Sequence, residues 1–81
     1  MNVRVKLFAV AKELVGGDEL TLDVRNGATL SDVRQAVAVK YPQLANILPH
    51  ALWAVDTEYA NDSTVLSEHS DIALIPPVSG G

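Results

Sequence analysis

The sequence predicts an α+β fold of two layers, a mixed sheet with one main helix packed on one of its faces. Three observations lead there. Segments near both ends alternate apolar and polar residues with period two, as half-buried strands do. One segment, residues 30–41, repeats its apolar residues at spacings of three and four, as a helix does. The length of 81 residues leaves room for one domain only. The reading divides the chain into a folded domain over 1–76 and a flexible C-terminal tail over 77–81.

Residues 2–9 open the chain as a strand, with Val3, Val5 and Leu7 on one side and Arg4, Lys6 and Phe8 on the other. Phe8 is the exception, an aromatic residue on the polar side. Residues 10–15 make one or two helical turns, stopped by Gly16-Gly17-Asp18. Leu20, Leu22 and Val24 alternate with Thr21 and Asp23 in a second strand, the hairpin partner of the first across a long connection. Arg25-Asn26-Gly27 is a turn. Thr29 is placed as a helix N-cap with Asp32 three residues on, an acidic form of the capping box that also complements the helix dipole. Leu30, Val33, Val37 and Tyr41 share the helix's apolar face, and Pro42 ends it. Leu44, Ile47 and Leu48 pack under a short turn before Pro49. Residues 52–59 are strand-like, split in two by a tight turn at Asp56-Thr57. Residues 64–66 are ambiguous, and 67–71 form a polar turn. The last strand follows, with Ile72 and Leu74 on one face and Ala73 and Ile75 on the other.

The composition narrows the chemistry. Hydrophobic residues make up 48% of the chain but aromatics only 5%, so the core is aliphatic. The absence of cysteine excludes disulfides, thiolate metal sites and a cysteine nucleophile. Net charge is −4, with the six basic residues scattered, so nucleic acid is not an expected partner. No window is long and apolar enough to span a membrane, and a cytoplasmic protein is the expectation. Gly16-Gly17 lacks the rest of a phosphate-cradling motif, so the chain is not expected to bind ATP itself. His50 and His69 lack metal-ligand spacing, and no metal site is expected. Asp62, Glu68 and Asp71 would meet only if the last turns brought them together. No serine has a nearby histidine in a nucleophile pattern.

What remains is the ending, Ile75-Pro76-Pro77-Val78-Ser79-Gly80-Gly81. The two prolines cannot continue a sheet interior and favour a stiff, extended exit. From Pro77 onward the arm reaches roughly 17 Å when extended. Gly80 and Gly81 fit a channel too narrow for a Cβ, and the group delivered at the end is the Gly81 carboxylate. Phe8 and Ile75 become neighbours on the outward face if the first and last strands pair, with Tyr59 joining them. That group is either a docking surface beside the tail or a small cluster under a loop.

The stretch Val5-Lys6-Leu7-Phe8-Ala9-Val10-Ala11-Lys12-Glu13-Leu14-Val15-Gly16, the helix start Ala28-Thr29-Leu30-Ser31-Asp32-Val33 and the Pro-Pro-Val-Ser-Gly-Gly ending together resemble the MoaD family of sulfur carriers, the small subunits of molybdopterin synthase. The resemblance covers essentially the whole chain. It implies the β-grasp, ubiquitin-like fold. It also implies that a MoeB-like, E1-like enzyme, using ATP and Mg, adenylates the Gly81 carboxylate, and that sulfur then displaces AMP to leave a thiocarboxylate. The tail, lined by Val78, Ser79 and Gly80, would insert into a MoaE-like large subunit, in a heterotetramer, and give its sulfur to cyclic pyranopterin monophosphate to build the molybdopterin dithiolene. Phe8, Tyr59, Ile75, Pro76 and Pro77 would face that subunit. Two positions depart from the family pattern: Asp56 stands where relatives often carry Asn, and Ser70 precedes Asp71 where Gly is common. The alternatives are a ThiS-like carrier for thiazole synthesis, a modifier joined to lysines, and a plain binding module with an inert tail.

Overall fold

Alternation in the first segment becomes strand β1 (Asn2–Leu7), whose Val3, Val5 and Leu7 are buried while the residues between them are exposed. The computed structural model describes residues 1–77. Helix α1 (Ala9–Val15) follows directly and ends at Gly16, which takes φ +83° and lets its own N–H reach back to the Lys12 carbonyl. An L side chain there would meet its own backbone, so glycine is the natural stop. Strand β2 (Glu19–Asp23) then returns antiparallel to β1, with Val3 opposite Leu22 and Val5 opposite Leu20.

Helix α2 (Leu30–Lys40) starts on the expected capping box. The Asp32 amide donates to the Thr29 hydroxyl oxygen at 3.4 Å, and the Thr29 amide donates to the Asp32 carboxylate at 2.9 Å. Two of the helix's orphan donors are thereby satisfied. Leu30, Val33 and Val37 are fully buried against the sheet, each contributing about 1.5–3 kcal/mol relative to exposure. After Tyr41 the chain makes two short 3-10 turns, Pro42–Leu44 and Leu48–His50, each with a proline in its first turn and a buried leucine.

Strand β3 (Leu52–Val55), strand β4 (Glu58–Tyr59) and strand β5 (Asp71–Ile75) complete a five-stranded sheet in the order β2-β1-β5-β3-β4. β5 runs parallel to β1 and antiparallel to β3, so the last strand lies at the centre of the sheet. Asp56 and Thr57, at φ +53° and +70°, make the expected tight turn between β3 and β4. Of the ambiguous 64–66 stretch, Val65 forms an isolated bridge to Thr29, and Leu66 is buried. The core is aliphatic apart from Trp53, which points inward from β3.

Candidate functional site

The sheet has one face covered by α2 and one open face, and the alternation of each strand decides what the open face carries. Leu7 pairs with Leu74. Phe8 keeps an extended backbone (φ −133°, ψ 153°), so one further step sets it level with Ile75. Ile75 in turn pairs with Leu52 across β3. Phe8, Ile75 and Leu52 therefore form one row across three strands. A second row lies two residues back on the same face: Ala73 opposite Ala54, and Ala54 opposite Tyr59. Phe8, Leu52 and Tyr59 are 49%, 56% and 75% exposed, a concentration of large apolar surface that isolated exposed residues do not make.

The polar residues of the same face lie to one side. Lys6 pairs in register with Ala73 and makes an ion pair with Asp71 at 3.3 Å. Lys12 holds Asp18 at 2.7 Å; that hydrogen bond, together with the carboxylate's charge, raises the ammonium above its ordinary value. The apolar rows thus have a charged margin of both signs, the anatomy of an interface centre with a polar rim.

Phe8, Ile75 and Tyr59 share the open face, with Phe8 beside Ile75 and Tyr59 out on β4, three strands from β1; the two prolines differ. Pro76 is buried within the chain, and Pro77 is exposed. Of that pair, Pro77 alone presents its ring at the surface. Val78, Ser79, Gly80 and Gly81 lie outside the described residues. Leu52 escaped the sequence reading. The signal was available in part, since Trp53 and Val55 inward require Leu52 outward; what was missing was its register against Ile75.

Other candidate groups do not converge. Asp62 takes Arg34 at 2.7 Å, Asp71 takes Lys6, and Glu68 lies 3.6 Å from the His69 ring, so the three acids answer to three different partners. His50 sits in the second 3-10 turn. Among the described residues no three potential metal ligands cluster, and no helix is long and apolar enough to cross a membrane.

The model of the ThiS family matches residues 5–81 of this chain. A Caenorhabditis briggsae protein named molybdopterin synthase sulfur carrier subunit is 39% identical, the alignment covering 100% of this chain and 99% of that one. Among solved structures, SAMP1 from Haloferax volcanii, a small archaeal modifier protein, is 28% identical and superposes with a TM-score of 0.87 over 100% of both chains. The Helicobacter pylori complex of subunits 1 and 2 of molybdopterin-converting factor contains a chain of the same fold, 24% identical, with a TM-score of 0.71 over 100% of both chains.

Proposed function

The chain belongs to the ThiS family, and from that premise we propose that it is the sulfur carrier subunit of molybdopterin synthase, serving molybdenum cofactor biosynthesis. The observation that carries this reading is 39% identity, over the full length, to a relative of that name, in a chain whose central strand runs past an apolar open face into Pro76 and Pro77. The chemistry follows from what the chain lacks. A carboxylate is a poor acyl donor until its oxygen becomes a good leaving group. An adenylating enzyme with ATP and Mg would attach AMP to the Gly81 carboxylate, releasing pyrophosphate. The outer sulfur of a persulfide would then displace AMP to give an acyl disulfide, and a second thiol would cleave its S–S bond, leaving the thiocarboxylate and a new disulfide. The relative is named as a subunit, which implies a partner chain; a large subunit would cover the rows of Phe8, Ile75, Leu52 and Tyr59 and receive the tail. It would bring cyclic pyranopterin monophosphate, the sulfur acceptor.

The test is intact mass after incubation with ATP, a competent activating enzyme and a sulfur source. A gain equal to the exchange of one oxygen for sulfur, absent from a chain lacking Gly81, is the expected result. No gain from the intact chain defeats the reading. The likeness to a modifier protein favours one second reading, attachment of Gly81 to lysines of other proteins. Lysine-linked conjugates on a denaturing gel, without sulfur transfer, would select it.

A further inference from the structure

The paired register of β3 and β5 ends with Val55 opposite Ile72. One step on, an undisturbed ladder would set Asp56 against Asp71 with two main-chain hydrogen bonds. One of them forms: the Asp56 amide donates to the Asp71 carbonyl at 2.8 Å. The other is replaced. Asp56 already turns at φ +53° into the tight loop, and its carbonyl accepts from the Thr57 hydroxyl at 2.6 Å. The Asp71 amide donates instead to the Asp56 carboxylate, at 2.9 Å. A side-chain oxygen thus stands in for a carbonyl where the ladder would otherwise break. The Asp71 carboxylate is meanwhile held by Lys6 of β1. The first residue of β5 is pinned from both neighbouring strands.

Burial of Ile72 and Leu74 decides which side of β5 faces the core, but period two does not register a step of two residues. Beside the ladders to β1 and β3, the Asp56–Asp71 clamp adds a side-chain contact specific to one residue at the head of β5.

We propose that Asp56 is a positioning residue for sulfur transfer: its carboxylate fixes the start of β5, and through it how far the chain beyond Pro77 extends into a partner. This rests on the carrier reading above. Asp56→Gly keeps the positive φ and deletes the acceptor, whereas Asp56→Asn keeps an acceptor oxygen on a residue that tolerates the left-handed region. Three readouts on thiocarboxylated chains separate positioning from simple stability: hydrogen exchange at the Asp71 amide, affinity for the large subunit, and the single-turnover rate of sulfur transfer at saturating large subunit. In Asp56→Gly the Asp71 amide should exchange about tenfold faster. Its transfer rate should fall roughly three- to tenfold while affinity stays within about twofold, and Asp56→Asn should restore both the rate and the protection. If Asp56→Gly does not fold, the same comparison is made with Asp56→Gly/Thr57→Gly, which relieves the turn. An unchanged transfer rate beside faster exchange overturns the proposal, since the clamp would then be structural only. So does an Asp56→Asn chain as slow as Asp56→Gly. A wild-type chain that acquires no sulfur brings down the carrier reading and this one together, and is distinguishable because it needs no variant.

Discussion

Asp32 serves two donors and one cation at the start of α2: the Thr29 amide, the Thr29 hydroxyl and the Arg25 guanidinium. The Thr29 amide above all holds its carboxyl below the usual range; partial desolvation opposes it, and the Arg25 charge adds a lesser lowering. A carboxyl whose folded-state pKa lies below the unfolded value stabilises the fold above the unfolded value, and that contribution is lost as pH falls through the folded one. Urea midpoints measured from about pH 7 downward should therefore fall more steeply below roughly pH 4 for the wild type than for Asp32→Asn. Thr29→Ala should cost about 1 kcal/mol at neutral pH in the same assay, as cap removal generally does. The capping box was legible in the sequence because both members lie within four residues and need no tertiary contact. The work of the Asp56 carboxylate was not legible. Its partner is fifteen residues away, on a strand that becomes a neighbour only through the folded sheet.

At the scale of elements, the turn between β3 and β4 is the feature most at odds with its own residues. A two-residue hairpin turn with positive φ at both positions favours Asn-Gly, yet Thr57, β-branched, occupies the second position at φ +70°. Thr57→Gly should raise the unfolding free energy by up to about 1 kcal/mol, read from denaturant midpoints. The turn was readable as a break in alternation at Asp56-Thr57. Its strain was not, because propensity names preferred residues and says nothing of what a sheet will impose. The edge strand β2 shows the reverse case, a liability with a local answer. Lys40 at the end of α2 donates to the Thr21 carbonyl at 3.2 Å, covering part of an otherwise open edge with a charged side chain.

At the scale of the molecule, topology makes the open face. Phe8, Leu52 and Ile75 come from three segments far apart in sequence and meet because β5 inserts between β1 and β3. Alternation told which residues point outward; it did not tell which strands are neighbours, so Leu52 was missed. A partner that covers these rows should be sensitive to charge at their centre. Phe8→Asp and Leu52→Asp should each weaken binding of the large subunit more than about tenfold in titration calorimetry. Val39→Asp, on the outer side of α2 and 84% exposed, should leave it unchanged. Equal loss from all three would mean the open face is not the docking surface.

The central place of β5 has a mechanical consequence. A pull on the chain beyond Pro77 acts along β5, across the hydrogen bonds that join it to β1 on one side and β3 on the other. Those bonds are loaded together, in shear, and cannot be unzipped one at a time as they would be on an edge strand. The fold behind Pro77 therefore resists a pull on its last strand as one unit.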